Sequence, residues 1–195
     1  MISLPCSISL RRLKTLQCAY LLSLVIIGMG CQSSRSLPQP VTWQQQLSEQ
    51  LSLMGHRNWI MVADSAYPLQ TSPGIQMIET GSGHLEVLDQ VCMELGQVEH
   101  VSGIFYLDSE LSYLGEDQAT GIGSIRDALL KRLSEHPSQH LPHATLMEKL
   151  GEAGKSFKVL ILKTDLTLPY TSVFIELDCG YWGPEKEQTL RAMMP

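Results

Sequence analysis

The run from Gly55 to Pro68, GHRNWIMVADSAYP, constrains the fold more than any other stretch of the chain. Before it, Trp43, Leu47, Leu51 and Met54 recur at helical spacing, and Gly55 is placed to stop that helix. His56 sits on the turn that follows. Trp59–Ala63 reads as a short apolar strand that delivers Asp64 at its carboxyl end. In α/β sheets ligand groups gather at the carboxyl ends of strands, so Asp64 stands where chemistry is usually found. A histidine on a neighbouring turn supplies a group that can give or take a proton near neutral pH. The pairing of His56 with Asp64 is the first expectation.

Further along, Ile75–Glu79 is strand-like, and Leu85 to Leu95 reads as a helix with Leu85, Leu88, Val91 and Leu95 on one side. Val101 to Leu107 is a strand. Ser124 is expected to N-cap a helix running to Leu133. Ser134 to Pro142 reads as a polar loop rich in His and Pro. Helix Leu146–Ala153, strand Phe157–Leu162 and strand Val173–Leu177 complete the pattern. Strands alternating with helices point to a single α/β domain over residues 41–195, a three-layer α/β/α sandwich.

The first thirty residues are expected to lie outside that domain. Arg11, Arg12 and Lys14 precede an apolar run, Ala19 to Ile27, and Gly28-Met-Gly-Cys31 follows. This is the order of a secretory signal peptide over residues 1–30, its apolar run too short to span a bilayer comfortably. Small residues directly before a cysteine resemble the lipobox of bacterial lipoproteins, which would make Cys31 the lipidated first residue of the mature chain. An ordinary cleaved signal is the alternative. Gln32 is not the aspartate that usually retains a lipoprotein in the inner membrane, so an anchor on the periplasmic side of the outer membrane is favoured. Residues 31–40 then form the lipidated cysteine and a polar tether punctuated by Pro38 and Pro40, about 30 Å long if extended.

Without the leader, eleven basic residues face twenty acidic ones, a net charge near −9. Such a balance argues against nucleic acid and against electrostatic attachment to anionic lipid. Cys6 and Cys18 leave with the leader, and Cys92 and Cys179 sit in apolar settings that suggest buried free thiols.

Gly55-His56, Val62-Ala63-Asp64 and Tyr67-Pro68 resemble the opening signature of the D-ribose pyranase / L-fucose mutarotase (RbsD/FucU) family. Pro169-Tyr170-Thr-Ser172-Val-Phe-Ile-Glu-Leu177, followed by Gly180, is similar to that family's closing strand. The resemblance implies an RbsD-like sandwich that interconverts ring forms or anomers of a free monosaccharide, with no cofactor and no metal. By that resemblance His56 would be the general acid, Asp64 would bind sugar hydroxyls, and Tyr170 and Ser172 would close the pocket. His143 is the better match to a further sugar ligand, with His140 as the alternative. Opening a cyclic hemiacetal needs a proton delivered to the ring oxygen and one removed from the anomeric hydroxyl, work for acid/base side chains alone. Where the family has Asn, this chain has Ser172, so a sugar-binding or envelope interaction lipoprotein that keeps the fold without turnover is the alternative function.

Family members assemble into rings, commonly two stacked pentamers with pockets near subunit interfaces, which implies a homo-oligomer here. Tethers on the two faces of such a stack would start on opposite sides, which favours a single ring or smaller assembly.

Each site residue has a plainer reading too. His56 can serve as a helix-terminal histidine, Asp64 can hydrogen-bond its own turn, and Tyr170 can pack beside Pro169. His136, His140 and His143 have the spacing of a metal-binding helix face, but Pro137 and Pro142 interrupt it. Gly121-Ile-Gly123 lacks the third glycine and the preceding strand of a phosphate loop. Glu148 and Glu152 read as a solvated helix face.

Overall fold

A computed structural model describes residues 40–195 of the protein, of which Val41–Pro195 form one compact unit. The leader, Cys31 and nearly all of the tether lie outside the described residues.

Thr42 and Gln45 open helix α1 (Trp43–Leu53) with a reciprocal capping box, each side chain bonded to the other's backbone. Trp43, Leu47 and Leu51 are its buried face, and Met54 ends it one residue before the expected glycine. There follow β1 (Trp59–Ala63), β2 (Ile75–Glu79), α2 (His84–Gln97), β3 (Val101–Asp108), a 3-10 turn over Ser109–Tyr113 and α3 (Ile122–Leu133). The domain continues with β4 (Ser138–Leu141), α4 (His143–Ser156), β5 (Val159–Lys163), β6 (Val173–Cys179) and α5 (Pro184–Met193).

The six strands form one sheet in the order β2-β5-β1-β6-β3-β4. Only β6 runs against its neighbours; the β1–β5, β2–β5 and β3–β4 pairings are parallel. Alternation along β1 divides the core. Ile60 and Val62 join Leu160, Leu162 and Ile175 beneath α1, α2 and α3, while Trp59, Met61 and Ala63 join Ile161 and Phe174 beneath α4. This is the expected three-layer α/β sandwich. No helix among the described residues is long and apolar enough to cross a membrane.

Four details differ from the sequence expectations. Helix α3 starts at Ile122, after a left-handed Gly121 (φ 91°), so Ser124 lies inside it and is not its cap. Its first N–H groups are taken by the Glu116 carboxylate, which accepts from Gly121 (2.7 Å) and Gly123 (2.9 Å). The supposed loop 134–142 contains β4, a polar, exposed edge strand paired with Phe105–Asp108. Short polar edges of this kind discourage sheet-to-sheet association and leave no apolar alternation to read. Helix α5 was not foreseen, and it buries none of its residues. Cys92 and Cys179 are free but half-exposed, not buried; partial burial, followed by the charge of Asp89, still pushes the Cys92 thiol up to about 11.

Gly74 passes directly under the carbonyls of Gly154 and Phe157, where a Cβ would collide with backbone. Its own carbonyl accepts from Val159 N–H (2.9 Å), tying the end of the β1–β2 loop to the start of β5. Gly74→Ala is expected to destabilise the domain by about 1–3 kcal/mol, as overpacking against atoms that cannot yield does; urea unfolding would measure it.

Candidate functional site

Because β6 alone is reversed, the carboxyl ends of the other five strands and the amino end of β6 share one edge of the sheet. Asp64 leaves β1 there and Ser172 enters β6 beside it, its hydroxyl donating to Asp64 Oδ2 (3.3 Å). Asp64 Oδ1 accepts from Ala66 N–H (2.8 Å), so the carboxylate initiates its own turn and faces Ser172 as well. Tyr170 precedes Ser172 in the left-handed region (φ 57°), a strained conformation for a tyrosine. Its ring meets that of His143 edge-on at 5.5 Å. Asp64, Tyr67, His143, Met147 and Tyr170 line a cavity of about 440 Å³ that contains no Lys or Arg side chain.

His143, the first residue of α4, is fixed at two points. Its backbone N–H donates to the Glu110 carboxylate (3.1 and 3.0 Å), which caps the helix from the 3-10 turn. Burial works against that carboxylate's charge, but the backbone N–H groups of Glu110 and His143 hold it below its ordinary range. The ring's Nδ1 lies 3.0 Å from Oδ1 of Asp108, the last residue of β3. Asp108 is fully buried, and its Oδ2 has no hydrogen-bond partner among the described residues. Burial pushes its carboxyl up to about 6, the nearby charges of Glu110 and Asp64 adding to the effect while His143 opposes it. Sequence reading missed Asp108 by ending the strand at Leu107. The signal was present, an acid directly after an apolar strand, as at Asp64.

A second buried group, His84, opens α2 behind the same edge and was also missed. The Thr164 hydroxyl donates to Ala63 O (2.9 Å), so it can only accept from His84 Nδ1 (3.0 Å). With Nδ1 donating to Thr164, Nε2 makes no hydrogen bond of normal geometry among the described residues. Burial pushes His84 down to about 4; the Thr171 backbone and the charges of Asp64 and Asp165 only partly offset this.

His56 stands elsewhere. It lies before the amino end of β1, with Asp64 just past the carboxyl end, and a five-residue strand separates them by about 16 Å. Its Nδ1 pairs with Asp178 Oδ1 at 2.9 Å, half-exposed. Arg57 beside it is left-handed (φ 74°), and its N–H donates to Leu177 O (2.8 Å). The expected pairing of His56 with Asp64 is therefore not made within one chain, because the strand between them sets them apart. Tyr181 and Trp182 follow β6 out of the same amino edge, where Trp182 donates to Glu187 (2.8 Å), away from the cavity. Of the other histidines, His140 is exposed on β4 and His136 packs its ring on Phe105 (4.7 Å).

The fold and this edge define an α/β domain with a small polar cavity at the carboxyl ends of its strands. The model of the RbsD / FucU transport protein family matches residues 40–180, and the chain belongs to that family. Among solved structures, RbsD of Bacillus subtilis complexed with D-ribose is similar at 19% identity over 73% of this chain and 98% of its own, with a TM-score of 0.49. The fucose mutarotase of Streptococcus pneumoniae in complex with L-fucose is 16% identical over 74% and 97% of the two chains (TM-score 0.46). FucU of Bifidobacterium longum is 14% identical over 68% and 93% (TM-score 0.45). No curated protein sequence matches the chain.

The two buried groups give stability opposite pH dependences. His84, depressed in the fold, contributes stability that is complete above pH 6.5 and lost as pH falls through about 4, a change on the order of 3 kcal/mol. Asp108, raised in the fold, contributes stability that is present below pH 3.8 and lost as pH rises through about 6. Urea unfolding at stepped pH is expected to show that His84→Gln removes an acid-side loss between pH 6.5 and 4. Asp108→Asn is expected to gain on the wild type as pH rises from 4 to 6. Variant curves parallel to the wild type would contradict both assignments.

Proposed function

We propose that the protein binds a free, uncharged monosaccharide at the carboxyl-edge cavity and speeds interconversion of its ring forms or anomers by general acid–base chemistry. The observation that carries this reading is the convergence of Asp64, His143 and Tyr170 on one cavity, with Ser172 bonded to Asp64. Carboxylate, imidazole and phenol groups can orient sugar hydroxyls, and the lack of a cationic lining disfavours phosphorylated or acidic sugars. Family membership supports sugar chemistry of this class.

In this reading His56 acts as the general acid from a second copy of the chain, because its own strand holds it at the far edge of the sheet. The functional unit is then a homo-oligomer whose cavities are completed across an interface. The Cys31 anchor and the tether would hold that assembly at the periplasmic side of a membrane, the outer membrane being favoured.

Exchange NMR on a panel of free aldoses tests the proposal. Faster ring or anomer exchange is expected, with His143→Ala and His56→Ala each slowing it by about 10²-fold or more. His56→Ala and His143→Ala chains, co-assembled, are expected to recover part of the exchange that neither shows alone. Failure to recover would remove the second copy from the mechanism. Saturation transfer from a bound sugar without faster exchange would favour a binding lipoprotein over an isomerase.

A further inference from the structure

We propose that Asp108 is a positioning residue that holds His143 with its proton on Nδ1 and Nε2 bare toward the cavity, making His143 the base that takes the anomeric proton. The inference rests on the sugar-interconversion reading and changes the part of His143 within it, from sugar ligand to proton carrier.

The geometry has three parts. Asp108 is fully buried at the end of β3, and the Nδ1 of His143 is the one hydrogen-bond partner of its carboxylate among the described residues. A carboxylate so placed can keep its negative charge only while the imidazole donates to it. The pair therefore behaves as one proton-sharing unit and not as two separate groups. On the other side of the ring, Nε2 makes no hydrogen bond among the described residues, and the His143 side chain is 41% exposed where it lines the cavity. Position is secured independently: Glu110 holds the backbone N–H of His143, and the Tyr170 ring stands against the imidazole. A base needs a fixed tautomer, a fixed ring plane and a nearby counter-charge for the cation it becomes, and these contacts supply all three.

The proton accounting closes. Nε2 of neutral His143 takes the proton from the O1 hydroxyl, the O1 electron pair becomes the carbonyl, and the C1–O5 bond breaks. O5 takes a proton from His56, the general acid of the proposed assembly. His143 is now an imidazolium beside the Asp108 carboxylate, and His56 is neutral. Reclosure on the other face, or through another hydroxyl, reverses both transfers and restores both histidines.

The active form requires Asp108 ionised. The charged groups that face it are His143 from α4, Glu110 from the 3-10 turn and Asp64 from the end of β1, and the two acids oppose that ionisation. Exchange is therefore expected to fall on the acid side, through about pH 6.

Two measurements on the full protein test the inference. In the first, Asp108→Asn, which keeps shape and an acceptor for Nδ1–H but loses the charge, is compared with Glu110→Gln, which loosens the helix cap instead. Asp108→Asn is expected to lower exchange at saturating sugar by about 10²-fold, to leave the KM within a few-fold and to abolish the acid limb. Glu110→Gln is expected to keep an acid limb, moved to lower pH because a charge opposing Asp108 ionisation is gone. An acid limb retained in Asp108→Asn, or abolished in Glu110→Gln, would overturn the proposal; a lower rate alone in Glu110→Gln reports the loosened position of His143.

In the second, ¹⁵N NMR of the imidazoles reads the pair without turnover. The wild type is expected to show His143 protonated on Nδ1, a preference reduced in Asp108→Asn, where a neutral amide replaces the carboxylate. A dominant Nε2–H form, or the same tautomer balance in Asp108→Asn, would overturn the pair even in a protein that turns over sugar. If no aldose exchanges faster in the wild type, the sugar reading fails by itself, and the imidazole spectra still decide the pair.

Discussion

The direction of one strand governs where chemistry can occur in this domain. β6 runs against both of its neighbours, and its insertion between β1 and β3 gathers five carboxyl ends and one amino end on a single edge. Asp64, Asp108 and His143 follow parallel strands to that edge, and the reversal of β6 is what brings Tyr170 and Ser172 to join them. The same reversal carries Asp178 to the opposite edge, where it faces His56. With β1 fully buried and β6 buried over most of its length, the strand pair is a rigid spacer, so the two edges cannot be brought together by local adjustment. Any mechanism that uses both needs a second copy.

Burial is the common cause of the unusual titrations at the carboxyl edge. Asp108 and His84 are each nearly inaccessible, and each carries one polar atom with no hydrogen-bond partner among the described residues. Desolvation favours the neutral form of both, which raises an acid and lowers a base. Nearby acids act on them in opposite senses, raising Asp108 further and pulling His84 back towards its ordinary value. Polar groups held this way cost stability, and they persist where a cavity uses them. His84 lies a layer behind the cavity, joined through Thr164 to the carbonyl of Ala63, the residue just before Asp64.

Much of the fold was legible because buried strands are chemically plain. Trp59–Ala63 and Ile75–Glu79 coincide with their expected spans, since apolar runs bounded by turn residues leave little alternative. What escaped was structure stabilised without burial. β4 is polar and exposed, α5 buries nothing, and the true cap of α3 is a glutamate outside the helix instead of a serine within it. At the site, Asp64, His143, Tyr170 and Ser172 could be proposed from residue type and motif. Asp108 and His84 could not be weighed without knowing which residues stand beside them. His56 and Asp64 are close in sequence but stand at opposite ends of β1, because an extended strand intervenes.

Backbone strain falls at both ends of the same strand pair. Among the described residues the non-glycine positions with positive φ are Arg57 and Tyr170, conformations that each cost on the order of 1 kcal/mol or more. Arg57 follows His56 and is held by Leu177 O of β6; Tyr170 leads into β6 and stands against His143. Glycine at either position would remove the strain but also the side chain. In Tyr170 the retained ring packs edge-on against the imidazole, and in Arg57 the guanidinium lies over Phe157 at 5.9 Å. Strain kept at the two places where the cavity and His56 are set, and at no other non-glycine residue described, fits a chain that fixes the orientation of both edges before any ligand arrives.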